Sequence, residues 1–330
     1  MSDICGNSGS HSMRFVLLRA AILFGFFFAL ASGLWSGCRV AEKPRTQERK
    51  PSAAHEEGLA ALKTRSDGAN KLLVQGKYAQ AEMEWRAIIS AYQRILGPEH
   101  PDTLMSRYNL ASALRAQRKH DETVRELRAV LAIQERVLRP EHPAKMGIHN
   151  SLASTLQAQG KHAEAEREYR AALAIRARVF GPEDPGTMGI RSSLAYALQA
   201  QGKYGEAERE FRAVLAIRAR VFGPEHPGTL AIRGNLASTL QAQGKHAEAE
   251  RELRAVLASR ERVLAPEHPL VLTSCYNLAQ CLKAQNKKAE ALIFARRELE
   301  GRRKVLGEEH PYTKLARMQH DELEKSLKAK

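Results

Sequence analysis

The chain has 330 residues, 27% of them charged, with a formal net charge of +15. That is long enough for two ordinary domains and basic enough to raise nucleic acid or an anionic surface as a partner. Four cysteines are too few and too scattered for a disulfide framework. Regional counts weaken the nucleic-acid reading: residues 140–265 hold 18 Lys+Arg against 14 Asp+Glu, and the one dense surplus, seven against two, lies in 13–55.

Residues 1–38 read as a targeting segment. Ala20 to Trp35 is uncharged and strongly apolar, with Arg14 and Arg19 in front and small residues behind, the pattern of a signal peptide. The pattern reads best from Met13, so either Met1 or Met13 is the start. Three fates stay open. Ser36-Gly37-Cys38 resembles the end of a bacterial lipobox and makes Cys38 a lipidation candidate, although Trp35 departs from the usual aliphatic residue. Ala29-Leu30-Ala31 fits simple cleavage, and inclusion of Phe15 to Leu18 would make an uncleaved anchor. The expected location is the bacterial envelope, membrane-associated or periplasmic. Residues 39–55 carry Arg39, Lys43, Arg45, Arg49 and Lys50 with Pro44 and Pro51, and read as a basic disordered linker.

From there one box recurs at a fixed step of 42 residues. It is Gly97-Pro98-Glu99-His100-Pro101, then Arg139-Pro140-Glu141-His142-Pro143, Gly181-Pro182-Glu183-Asp184-Pro185 and Gly223-Pro224-Glu225-His226-Pro227. Ala265-Pro266-Glu267-His268-Pro269 and Gly307-Glu308-Glu309-His310-Pro311 complete the series. A fixed period of this size means a stacked repeat architecture, which grows linearly and does not split at a size limit.

Within the unit from Pro224, apolar residues at Leu230, Leu236, Ala237 and Leu240 fall on helical spacing, Gly244-Lys245-His246 interrupts, and Ala249, Leu253, Val256 and Leu257 resume it. Each unit therefore reads as helix A, tight turn, helix B, loop. Gly76, Gly160, Gly202 and Gly244 stand where helix A must stop in a left-handed residue; Asn286 is the usual second choice, and Arg118 predicts a strained or looser turn. Lysine follows in every unit, near the negative end of helix A. Glu166–Arg170, Glu208–Arg212 and Glu250–Arg254 stand four apart on helix B and read as a solvated face.

The units resemble tetratricopeptide repeats (TPR) in the 42-residue version of kinesin light chains and related bacterial proteins. Asn235-Leu236-Ala237, Gly244-Lys245-His246, Ala249, Leu253 and Leu257, with the Pro-Glu-His-Pro joint, carry the resemblance. It implies an all-α, right-handed α-solenoid of tandem helix-turn-helix units. The units are 56–97, 98–139, 140–181, 182–223, 224–265 and 266–307, ending in a final joint at 311 and a polar capping helix over 312–330. The first unit is degenerate, with Glu56-Glu57-Gly58-Leu59 in place of a joint.

The joint histidines are tempting as metal ligands or catalysts. Asp184 replaces one of them and a proline follows each, so the slot reads as a helix N-cap. Equivalent points in successive units stand at least a helix spacing apart, far beyond zinc-ligand distances. No nucleophile–base–orienter set and no phosphate loop is visible, so catalytic residues, metal and cofactor are all read as none, and the chain as not an enzyme. Cys275 and Cys281 read as buried packing thiols.

The resemblance further implies that helix A lines a concave groove that takes a protein or peptide. The lining residues expected to bind are Tyr108, Asn109, Arg115, Asn150, Tyr196, Asn235, Tyr276, Asn277 and Lys283. The asparagine of the Asn-Leu-Ala motif, which in that family contacts a peptide main chain, is matched only by Asn109, Asn235 and Asn277; Ser151 and Ser193 depart. The tyrosines read as rigid anchors with a polar tip. The competing reading is that these residues only pack one helix A against the next. The function so implied is a non-enzymatic scaffold binding a protein or peptide, tethered or exported by its N-terminus. The alternative is a basic nucleic-acid- or anionic-surface-binding repeat protein, disfavoured by the paired charges.

Overall fold

Each joint proline starts a helix, and each turn glycine ends one. The computed structural model describes residues 53–328, with side chains from Glu56. The targeting segment 1–38, including Cys38, and most of the linker lie outside the described residues. The described residues form thirteen helices and no strand: α1 (Ala53–Val74), α2 (Tyr78–Ile95), α3 (Pro101–Ala116), α4 (His120–Val137), α5 (Pro143–Ala158), α6 (His162–Phe180), α7 (Pro185–Ala200), α8 (Tyr204–Phe222), α9 (Pro227–Ala242), α10 (His246–Val263), α11 (Pro269–Ala284), α12 (Lys288–Leu306) and α13 (Pro311–Lys328). The odd-numbered helices α1 to α11 are the A helices and the even-numbered ones the B helices of a TPR α-solenoid. α1 starts at Ala53, inside the segment read as linker, and runs 22 residues against 16 for the other A helices. It has no joint proline to set its first turn.

The joints behave as N-caps. The Nδ1 atoms of His100, His142, His226, His268 and His310 accept from the backbone N–H two residues on, at 3.1–3.2 Å. Asp184 reaches one residue further, to Thr187 N at 2.7 Å. The turns close by the same pair of backbone bonds in glycine and non-glycine units. Lys245 N donates to Leu240 O at 2.9 Å, and Lys119 N to Leu114 O at 3.0 Å. Arg118 and Asn286 hold the left-handed φ of +60° and +59° that glycine holds elsewhere. The Arg118 turn is thus strained in its backbone but no looser in its hydrogen bonds.

The described residues divide into two compact units, one up to Glu164 and the other from Ala165. In the first, Trp85, Ile88, Ile89 and Tyr92 of α2 pack with Leu110, Ala113 and Leu114 of α3. In the second, Phe211 and Val214 of α8 meet Leu236 and Leu240 of α9, and the same core runs on through Leu253, Val271 and Leu278 to Leu323 of α13. Cys275 and Cys281 are buried free thiols in that core, the packing role expected of them; burial pushes Cys275 up to about 11. Among the described residues no helix is long and apolar enough to cross a membrane.

Charge lies over this core in ladders rather than as a plain solvated face. The buried Glu208 carboxylate accepts from Arg212 on its own helix, and from Gln243 and Lys245 of the following unit, both at 2.7 Å. Glu166 and Glu250 hold the same three partners in their units, and Glu82 does so in the first compact unit. Burial pushes these carboxyls up, but the donated hydrogen bonds outweigh it and take Glu82 and Glu250 down to about 2, with Glu166 and Glu208 also lowered. The turn lysine therefore clamps one repeat to the previous one. Val124 stands at that position in the second repeat, and there Gln159 turns to Asp121 at 2.8 Å instead.

Candidate binding face of the A helices

Within each compact unit, residues at 42-residue steps on the A helices fall in rows, and the rows determine what a partner would meet. In the first compact unit, Tyr108 is half-buried and its hydroxyl lies 3.1 Å from Ser151 Oγ on the next A helix. Arg115 Nη1 donates to Ser154 Oγ at 3.2 Å across the same gap. Asn109 does not lie on an open face: it is 3% exposed, and its side-chain oxygen is buried without a partner. Leu110 follows it into the core, and Asn109 is drawn in with the turn. Asn150 is half-buried and keeps its amide unpaired.

In the second compact unit, Tyr196 is 39% exposed, packs edge-on against Phe211 at 5.3 Å, and accepts at its hydroxyl from Asn235 Nδ2. Burial raises the Tyr196 phenol, and the Asn235 bond opposes that rise. Lys283 Nζ lies 2.7 Å from Glu322 of α13. Tyr276 and Asn277 are half-buried and make no side-chain hydrogen bond. They share α11 with Leu270, an exposed apolar side chain, and with exposed Thr273. α13 continues the row as Tyr312, Leu315 and Met318, which are 58%, 48% and 69% exposed. The capping helix is thus polar toward solvent at Lys314, Asp321 and Glu324 but apolar along its A-helix row.

The nine expected binding residues thus divide by their partners. Tyr108, Arg115, Tyr196, Asn235 and Lys283 are bonded between neighbouring helices, Asn109 is buried, and Asn150, Tyr276 and Asn277 retain unused hydrogen-bonding groups. The sequence reading missed the pairs that tie four of the A helices to their own B helices, Arg65–Glu84 at 2.6 Å, Arg107–Glu126 at 2.9 Å, Arg191–Glu210 at 3.5 Å and Arg233–Glu252 at 3.2 Å. It also missed the apolar row on α13. A 42-residue alignment of the basic and acidic positions was the available signal for the first, and the outward face of residues 312, 315 and 318 for the second. Among the described residues no group of three or more His, Cys, Asp or Glu is placed to hold a metal.

The tetratricopeptide repeat family model matches residues 69–136, 144–209, 187–258 and 231–304, more than half of the chain. The chain is a tetratricopeptide-repeat protein. It is of the kinesin-light-chain-like type: a crystal structure of Podosopora anserina kinesin light chain nearly identical TPR-like repeats is similar at 34% identity and a TM-score of 0.57, covering 63% of this chain and 99% of that one. BtubC (BKLC) from P. vanneervenii, at 20% identity, 79% and 95% coverage and a TM-score of 0.53, shares the fold. So does a tetratricopeptide repeat protein from Parabacteroides merdae, at 17% identity, 81% and 93% coverage and 0.53. No curated protein matches this TPR chain.

Proposed function

We propose that this TPR protein is a non-enzymatic scaffold that binds an extended protein or peptide segment along its A-helix face, and that the end formed by α11 and α13 carries most of the binding. TPR repeats in general serve protein interaction, and the single observation that carries the narrower reading is at Tyr276 and Asn277. They offer a hydroxyl and an amide with no intramolecular partner, beside exposed Leu270, Tyr312 and Leu315. An amide that both donates and accepts suits a peptide main chain, and the apolar row suits side chains of that peptide. The ion-pair ladders engage many of the repeats' arginines and lysines with carboxylates of the same fold, which supports a protein partner over a nucleic-acid surface. The apolar segment 20–35 and the basic residues behind it support membrane tethering or export, with Cys38 as the candidate lipidation site. The test is crosslinking in the native membrane fraction followed by identification of partners of the full chain. Partners lost on changing Tyr276 and Asn277 to Ala, with the helical content unchanged, support the reading; an identical partner set in that variant refutes it.

A further inference from the structure

One joint differs from the others, and the difference reveals what its neighbours are built to hold. Asp184 Oδ2 accepts from Arg176 Nε at 2.6 Å, from Thr187 N at 2.7 Å and from Thr187 Oγ1 at 3.1 Å. Arg176 is 7% exposed and stacks on the Phe180 ring at 5.0 Å. Burial pushes the Asp184 carboxyl up, but Arg176 and Thr187 outweigh it and hold it low. The first turn of α7, with its uncompensated N–H groups, completes a cradle for one carboxylate.

One repeat further on, the donors recur and the carboxylate does not. Arg218, Phe222 and Thr229 stand at the places of Arg176, Phe180 and Thr187. Arg218 stacks on Phe222 at 5.1 Å and lies directly over Gly228, where a Cβ would stand 1.9 Å from its Nη2. Gly186 makes the same room for Arg176, 2.2 Å from a Cβ. The place of Asp184 is taken by His226, whose Nδ1 accepts from Gly228 N at 3.1 Å and has nothing to offer a guanidinium. In consequence Arg218 Nε and Thr229 Oγ1 are both buried with no hydrogen-bond partner, and Thr229 is 0% exposed. Orphaned buried donors of this kind are rare and costly, more so on a charged group. The next arginines in the column are served: Arg260 Nη1 by Leu270 O and Ser274 Oγ at 2.9 and 2.7 Å, Arg302 Nε by Glu298 Oε1 at 2.7 Å.

We propose that the N-terminus of α9 is a carboxylate-binding site in which Arg218 Nε and Thr229 Oγ1 receive an Asp or Glu side chain of a partner protein beside the His226 cap, as Arg176 Nε and Thr187 Oγ1 receive Asp184 one repeat earlier. Phe222 and His226, both exposed, flank its approach. The site lies at a joint and not on the A-helix face, so its fate and that of the scaffold reading are independent.

The test uses the full chain with 15N-labelled arginine, titrated with sodium acetate and separately with sodium phosphate against sodium chloride of equal ionic strength. Acetate moves the Arg218 Nε resonance saturably and raises the Tm. His226→Asp supplies the carboxylate internally: its Arg218 resonance starts at the shifted position, no longer responds to acetate, and its Tm without acetate exceeds that of the parent. Asp184→His makes the Arg176 resonance acetate-responsive in turn. Three outcomes overturn the proposal: an unsaturable response shared with exposed arginines such as Arg209, a response to phosphate and not acetate, or an acetate response that survives His226→Asp.

Discussion

Lys203 Nζ lies 2.7 Å from Glu166 Oε2, reaching from the turn of one repeat to the B helix of the one before, and Gln201 shares the same oxygen at 2.8 Å. The contact recurs wherever Glu occupies that place, so it couples neighbours in a fold whose stability is a sum of units and their interfaces.

Removing one clamp should weaken one interface. Glu208→Ala frees Lys245, Gln243 and Arg212, all of which reach water, so the cost is roughly 1 kcal/mol. Urea unfolding of that variant should show a lower midpoint than Glu210→Ala, which severs only a single longer pair with Arg191.

The clamps also give the protein an acid limit. The folded pKa values of Glu82 and Glu250 are about 2, against 4.5 for the free side chain. Their contribution is therefore fully present above pH 4.5 and is lost as the pH falls from there toward 2. Thermal unfolding followed by circular dichroism should show Tm dropping through that window, and the drop should be smaller in a variant with Gln at Glu82 and Glu250.

The joint at Asp184 should be the most sensitive of the N-caps. Asp184→Ala removes the cap of α7 and the carboxylate that accepts from buried Arg176, a loss of about 3 kcal/mol. His226→Ala removes only a cap, for about 1 kcal/mol. Equal losses in the two variants, measured by urea unfolding, would contradict the role assigned to the Arg176 pair.

Arg118 carries a left-handed φ of +60° in a turn where most units use glycine. Arg118→Gly relieves that strain at some cost in unfolded-state freedom, for a net gain of about 1 kcal/mol or less. Asn286→Gly should gain less, since asparagine tolerates the conformation better.

Intact mass of the membrane-extracted mature protein tests the N-terminal reading. A chain beginning at Cys38 with added acyl mass supports lipidation, a start near Ser32 supports simple cleavage, and retention of 20–35 supports an anchor.

The sequence by itself determined the architecture, because helix starts, stops and core positions are local and repeat every 42 residues. The Pro-Glu-His-Pro box, the left-handed turn and the helical apolar spacing each follow from backbone sterics and burial within one unit. Which polar side chains are free was not local. Tyr108 and Ser151, Tyr196 and Asn235, and Arg218 and Thr229 are separated by 43, 39 and 11 residues, and only the stacking of one unit on the next set the first two pairs as bonded and left the third without an acceptor. A side chain on a repeated face can bond to its neighbour or to a partner, and that choice depends on ångström-scale geometry between helices, which residue type and spacing do not encode.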